Sequence, residues 1–176
     1  MKEVLAALTE ALAIEREGEK FYRQAAEGCE EEVTRQTFLA LAEQEQAHAT
    51  YFQVYYDEVA KQKAWPEAAV VELESQDLPA QAQAIFEQAM PELGQAGPML
   101  CACTHDLYET AMDKERMSIA LYGKQAEEAE SDEQQAFFEF LVAQEKGHLN
   151  LLYNTQKYLD DPANFFFDEE QWIVEG

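Results

Sequence analysis

A set of three polar side chains occurs twice in this 176-residue chain, and the two copies lie one hundred positions apart. Each copy is a lone glutamate followed thirty positions later by a Glu-x-x-His pair, and the members are Glu15, Glu45, His48, Glu115, Glu145 and His148. Residues three apart lie on one face of a helix, so each pair can direct a carboxylate and an imidazole to one point. These two ligand types together bind iron, manganese or zinc. Because four carboxylates balance the charge of two divalent cations, the duplicated set predicts a two-metal centre.

The spacing within each copy predicts how the chain folds around such a centre. From Glu15 to Gly28 the chain advances thirteen residues, about 20 Å of helix, and from Glu31 to Glu45 it advances fourteen, about 21 Å. An antiparallel hairpin therefore brings Glu15 and Glu45 to the same height. The second copy has the same spacing around a turn at Ser131. Two such hairpins packed face to face would place all six side chains in one layer.

The duplication extends beyond these six side chains. Residues 15–52 and 115–152 are identical at eleven of thirty-eight positions when aligned without a gap, and the matches include a tyrosine (22 and 122) and a glutamine (44 and 144). Heptad-like patterning can produce matches between apolar positions, but it does not produce matched metal-type residues. The two halves are therefore predicted to be structural repeats.

Periodic apolar residues predict four long helices and an all-α fold. The predicted ranges are about 3–27, 31–63, 104–130 and 131–161. Gly28 is expected to cap the end of the first helix, and Thr104 is expected to begin the third. Ser131 and Gln134 form a capping-box pattern at the start of the fourth helix, which Asp161-Pro162 should end.

The segments outside these helices predict the domain organisation. Residues 64–103 contain four prolines, so they cannot continue the second helix. Their length suits one long crossover in an antiparallel four-helix bundle that comprises residues 1–163, and a short helix is expected near 79–90. Residues 164–176 contain three phenylalanines, a tryptophan and an isoleucine. We expect this aromatic tail to dock on the bundle or on a partner subunit.

Composition excludes several classes of function. A formal net charge of −24 argues against binding of nucleic acid and of anionic membranes, because both require a basic surface. No apolar run reaches the length of a membrane span, and Glu3 and Glu10 interrupt the N-terminal segment where a signal peptide is apolar. Three cysteines do not form a disulfide framework, and Cys101 and Cys103 are predicted to be free thiols, with a redox-active pair as the alternative. The composition predicts a cytoplasmic protein.

The ordered quartet Glu, Glu-x-x-His, Glu, Glu-x-x-His resembles the ligand set of the ferritin-like superfamily and, within it, of rubrerythrin-related proteins. The matching segments are Ala13-Ile14-Glu15 with Phe21-Tyr22, residues 40–48, Glu115 with Leu121-Tyr122, and residues 141–148. The resemblance covers residues 1–63 and 104–160. It implies a ferritin-like four-helix bundle with two iron ions, for which manganese or zinc are the alternatives.

The resemblance also implies a role for each ligand. Glu45 and Glu145 would bridge the two metals, Glu15 and Glu115 would be terminal ligands, and the two histidines would each bind one metal. The chain departs from full rubrerythrins in two respects: it has no Cys-x-x-Cys pairs of a rubredoxin domain, and it has Ser118 where they carry an additional glutamate. The first departure removes a built-in electron donor, and the second weakens any direct transfer of peroxidase activity.

Several further positions near the six side chains are candidates for supporting roles. Tyr22 and Tyr122 lie two helical turns beyond their glutamates, where they are either core aromatics or hydrogen-bond donors to ligand carboxylates; the resemblance favours the donors. Gly18 and Ser118 either allow close helix packing or leave space above the metals for an oxidant. Glu19 is a candidate additional carboxylate. His105 lies about 15 Å along the helix from the third glutamate and is not expected to be a ligand.

Three functions are compatible with this reading. The first is a rubrerythrin-like oxidoreductase of the peroxidase or ferroxidase type, which reacts with hydrogen peroxide or dioxygen and takes electrons from an external donor such as rubredoxin. The second is a non-catalytic iron-handling protein, and the third is a bundle that holds its metal passively.

We also predict a homodimer, because the apolar residues of one short stretch of the second helix cannot all face one core. These residues are Tyr51, Phe52, Val54, Tyr55 and Tyr56.

Overall fold

Four helices make up most of the part of the chain that the computed structural model describes, residues 2–73, 84–85 and 102–161. They are α1 (Lys2–Gly28), α2 (Glu32–Gln62), α3 (Ala102–Glu127) and α4 (Asp132–Asp160). No strand occurs within these described ranges. The predicted all-α class is confirmed.

The ends of α1 and α4 follow local chemistry, with one difference from prediction. Ser131 is the N-cap of α4, as predicted, and its hydroxyl accepts a hydrogen bond from the backbone N–H of Gln134 at 3.2 Å. Gly28 is the last residue of α1 but is not the expected left-handed cap, because it has no positive φ. The helix instead tightens at its end, where the N–H of Cys29 bonds to the carbonyl of Ala26 at 3.4 Å.

The third helix also differs from prediction at both ends. It begins at Ala102, two residues before Thr104, and it ends at Glu127 rather than near residue 130. The early end has a local cause. The backbone N–H of Glu130 donates to the side chain of Gln134 at 3.3 Å, so the chain has already left α3 to form the cap of α4.

Contacts across the bundle fix the register of the two hairpins. Between α1 and α3, the Tyr22 hydroxyl meets Glu115 while the Tyr122 hydroxyl meets Glu15, so these helices run antiparallel. Between α2 and α4, Gln44 contacts His148 and Thr37 contacts Thr155, which again gives an antiparallel pair. The four helices therefore bring the two Glu-x-x-His pairs to one height.

The hydrophobic core divides into two clusters, one on each side of this polar layer. One cluster is centred on Tyr22, Phe38, Leu41, Tyr108 and Leu152, and the other on Leu8, Phe52, Tyr55, Phe137 and Leu141. Apolar side chains on both sides thus separate the layer from the ends of the bundle.

Only part of the predicted crossover lies within the described residues. Trp65 stacks on Tyr55 with ring centroids 5.0 Å apart and packs on the second cluster, whereas Ile85 packs on the first. The connection therefore reaches opposite ends of the bundle. Of the short helix expected near 79–90, Ala84 and Ile85 are described and both are helical. The aromatic tail lies outside the described residues. None of the described helices is long and apolar enough to cross a membrane.

Candidate metal centre

The structure brings the six side chains of the duplicated set together in the middle of the bundle. Each is at most 4% exposed. Glu15 and Glu115 come from α1 and α3, and the two Glu-x-x-His pairs come from α2 and α4. Helix geometry explains the convergence. Glu15 on α1 lies level with the Glu-x-x-His pair of α2, and Glu115 on α3 lies level with that of α4.

These side chains form two overlapping four-residue groups of possible ligand atoms, and a smaller group of Glu45 with both histidines links them. Within each group, the atoms all lie within 4.8 Å of one another. The four-residue groups are Glu15, Glu45, His48 and Glu145, and Glu45, Glu115, Glu145 and His148. Each group thus holds one histidine and one glutamate of its own, and both share Glu45 and Glu145. This arrangement is compatible with two adjacent metal ions that share two carboxylates.

The Nδ1 atom of each histidine faces the carboxylates. That of His48 lies 3.0 Å from Oε1 of Glu145 and 3.4 Å from Oε2 of Glu15. That of His148 lies 3.2 Å from Oε1 of Glu45 and 3.4 Å from Oε2 of Glu145. One oxygen of Glu145 therefore points to each histidine.

Gln44 defines which nitrogen of His148 is available to a metal ion. The Nε2 atom of His148 lies 2.9 Å from Oε1 of Gln44, and an amide oxygen only accepts hydrogen bonds. The proton of a neutral imidazole is therefore held on Nε2, and the lone pair of Nδ1 points into the carboxylate layer. The sequence carried a signal for this residue, because the glutamine before each Glu-x-x-His pair is one of the repeat matches.

Several buried polar atoms in the layer have only one another as close polar neighbours and make no hydrogen bond of regular geometry within the described residues. They are Nδ1 of both histidines, Oε2 of Glu15 and both carboxylate oxygens of Glu145. Unpaired buried polar atoms are costly, and a carboxylate costs more than a neutral group. A divalent cation removes this cost, because every one of these atoms is a metal ligand type. The residues present therefore fit a pair of metal ions.

Burial and mutual repulsion act on the carboxylates. Burial, together with the charges of Glu15 and Glu145, raises the pKa of Glu45 well above its usual range. Burial and the charge of Glu145 raise the pKa of Glu115 to about 8. These two side chains behave as expected for crowded carboxylates.

Glu145 differs from Glu45 and Glu115 in the direction of its pKa shift. Burial alone would raise its pKa, but His148 and His48 on either side hold it well below the usual range. The same contacts act on the histidines. Burial opposes their charged form, yet the contacts with Glu145 and Glu15 raise the pKa of His48 to about 9. In the absence of metal, the layer therefore holds protons on its histidines and on some of its carboxylates.

The two tyrosines form reciprocal hydrogen bonds across the bundle. The hydroxyl of Tyr22 donates to Oε1 of Glu115, and the hydroxyl of Tyr122 donates to Oε1 of Glu15. Burial and the charges of the neighbouring glutamates raise the pKa of both phenols, so both remain protonated donors. Each bond joins one repeat to the other and leaves the second oxygen of the glutamate facing a histidine.

Three other positions considered from the sequence lie outside the centre. Glu19 forms a salt bridge with Arg23 at 2.9 Å on the surface and is not an additional carboxylate of the layer. His105 is exposed and belongs to neither group. Cys29 is a half-buried free thiol, whereas the side chains of the other two cysteines lie outside the described residues.

Comparison with known families gives one match. The family model described as Rubrerythrin matches residues 6–155, a span that contains all six side chains of the two groups. No curated protein and no solved structure matches the chain.

Proposed function

The chain belongs to the rubrerythrin family, and from that premise we propose that it is a di-iron carboxylate oxidoreductase that reduces hydrogen peroxide or dioxygen. The observation that carries the proposal is the pair of overlapping groups that share Glu45 and Glu145. In this proposal these two glutamates bridge the metals, Glu15 and Glu115 are terminal ligands, and each histidine binds one metal through Nδ1.

Two ferrous ions held there would supply the two electrons that, with two protons, reduce hydrogen peroxide to two waters, and an external donor such as rubredoxin would restore them. The protein contributes position and proton control. Tyr22 and Tyr122 hold one oxygen of each terminal glutamate, and Gln44 holds the tautomer of His148. The apolar clusters above and below exclude bulk water, so charges in the layer are weakly screened.

Ser118 bears on the choice of oxidant. It is 6% exposed and lies one turn beyond Glu115 on α3. A serine cannot supply the additional carboxylate of full rubrerythrins at this position. We still propose that peroxide is the preferred oxidant, because its reduction needs no more than the two electrons of a di-ferrous pair.

Stopped-flow oxidation of the di-ferrous protein by each oxidant tests this function. We expect faster oxidation by hydrogen peroxide than by dioxygen, and faster turnover when rubredoxin is added. Glu15→Gln should slow the reaction, whereas Glu17→Gln, an exposed carboxylate two residues away, is the matched control. Faster oxidation by dioxygen would indicate a ferritin-like oxidase. No reaction with either oxidant would indicate an iron-handling or passive metal-binding bundle.

A further inference from the structure

Gly18 lies in the middle of α1, and a side chain at this position has no room. An alanine Cβ there would lie 2.8 Å from Oε2 of Glu45, 3.1 Å from its Cδ and 3.4 Å from its Cγ. The first of these distances is too short for a carbon–oxygen contact, so either Glu45 or the backbone of α1 would have to shift. The carboxylate of Glu45 therefore occupies the volume that any larger residue at position 18 requires.

The backbone of α1 does not explain this glycine. Gly18 has no positive φ, and glycine in a helix interior is less favourable than alanine by about 1 kcal/mol. Two other glycines in the described helices differ, because a Cβ on Gly28 or on Gly123 would meet no atom within 4 Å. Among these three, only Gly18 is in contact with a candidate metal ligand.

Glu45 has little freedom to move away from an added side chain. It is 4% exposed, and its Oε1 lies 3.2 Å from Nδ1 of His148. It also belongs to both groups of ligand atoms. A displacement of this carboxylate would therefore disturb both groups at once.

The repeat makes the two shared glutamates unequal. The position equivalent to Gly18 in the second half is Ser118, so a side chain is present on that side. Glu145 directs one oxygen to each histidine, 3.0 Å from Nδ1 of His48 and 3.4 Å from Nδ1 of His148. Glu45 instead directs Oε1 to His148 and turns Oε2 toward Gly18.

We propose that Gly18 is a positioning residue of the metal centre, whose missing side chain seats the Glu45 carboxylate between the two groups. The proposal deepens the proposed function, because it rests on a two-metal centre in which Glu45 is a shared ligand. It also argues against the interpretation that Gly18 leaves space for an oxidant, because the Glu45 carboxylate fills the volume beside this residue.

Titration with Co²⁺, followed by its visible absorption, tests the proposal in the full chain. Gly18→Ala should weaken binding at both sites about tenfold or more and alter the absorption bands, because one ligand common to both sites is displaced. Gly123→Ala is the matched control and should bind two Co²⁺ with the wild-type spectrum. Two Co²⁺ bound by Gly18→Ala with wild-type affinity and spectrum would overturn the proposal.

A double-mutant cycle on the metal-free protein separates positioning from a general effect on folding. With Glu45 present, Gly18→Ala should lower the melting temperature. In a Glu45→Ala background the obstacle is gone, so the same substitution should raise the melting temperature as Gly123→Ala does, by about 2 °C or more. Equal destabilisation in both backgrounds would overturn the proposal. Failure of wild type to bind two Co²⁺ would reject the two-metal function, whereas this cycle would still report the Gly18–Glu45 contact.

Discussion

At the scale of single residues, the centre is organised by groups that hold one atom of a ligand and leave the other free. Tyr22 does this for Glu115, Tyr122 does it for Glu15, and Gln44 does it for His148. Such partners fix the orientation of a ligand, and their removal typically lowers metal affinity by about 10- to 100-fold.

Tyr22→Phe should therefore weaken metal binding without unfolding the bundle. The ring stays packed in its apolar cluster, but Oε1 of Glu115 loses its donor. We expect at least about a tenfold loss of Fe²⁺ or Co²⁺ affinity in an equilibrium titration. Tyr153→Phe removes a hydroxyl from a side chain that is 57% exposed and serves as the control. Equal affinities of the two variants would show that the buried hydrogen bond does not support the centre.

The stability of the metal-free protein should fall as the pH rises from about 6.5 to 9. The pKa of His48 is raised from 6.5 to about 9, so its stabilising contribution is complete below pH 6.5 and is lost as the pH passes 9. The pKa of Glu115 is raised from 4.5 to about 8, so its stabilising contribution is complete below pH 4.5 and is lost as the pH passes 8, a range that overlaps that of His48. Between its unfolded and folded pKa values, each such group adds about 1.4 kcal/mol per pH unit to the slope of the free energy of unfolding against pH.

Denaturant unfolding at a series of pH values measures this slope. Glu115→Gln cannot lose a proton and should make the slope shallower. Glu145 affects stability in a more acidic range. Because its pKa is lowered, its contribution to the free energy of unfolding is lost only on acidification below about 4.5, its ordinary pKa. Metal-loaded protein should show the opposite trend and lose metal on acidification, because protons compete for the ligands. A metal-free stability that is constant or rising between pH 6.5 and 9 would contradict this description of the layer.

At the scale of the helices, the hairpin turns determine where the ligands meet. The turn before α4 carries a side-chain cap, in which Ser131 accepts from the N–H of Gln134. The turn before α2 has Glu31 at the equivalent position, and that side chain makes no capping hydrogen bond.

Removal of the Ser131 cap should destabilise the protein. Ser131→Ala leaves the first N–H groups of α4 without this acceptor, and we expect a loss of about 1 kcal/mol in the free energy of unfolding. Glu31→Ala, at the N-cap of α2, loses no cap bond and should change stability less. Equal losses in the two variants, measured by denaturant unfolding, would show that the cap does not contribute.

The helices were largely predictable from the sequence, and only the ends of α3 depart from the prediction by two residues or more. The start of α4 carries an unambiguous signal in Ser131 and Gln134. The end of α3 does not, because the N–H of Glu130 turns to the side chain of Gln134, and this contact forms only once both helices are in place. The end of α2 was predicted to within one residue, although Lys63 rather than a glycine adopts the left-handed cap conformation, with φ of 57°.

At the scale of the whole molecule, the candidate centre was predictable because helix rise alone sets the height of each ligand. The electrostatics were not predictable, since the lowered pKa of Glu145 depends on two histidines from different helices. The same holds for the space beside Gly18, which only the packing of α2 against α1 defines.

Self-association remains a prediction. On α2, Phe52, Tyr55 and Val59 are buried in the core, whereas Val54 and Tyr56 are partly exposed. Met117 on α3 adds an apolar side chain that is 69% exposed. We expect a homodimer in sedimentation at micromolar concentration, and a species of 20.1 kDa alone would contradict it.

The central claim is that one chain holds two metal ions between its repeats. Elemental analysis of protein reconstituted with Fe²⁺ under anaerobic conditions tests it most directly. We expect close to two iron ions per chain, a large loss at both sites in Glu45→Ala and a loss mainly at one site in Glu15→Ala. Binding of one ion or fewer by the wild-type chain would contradict it.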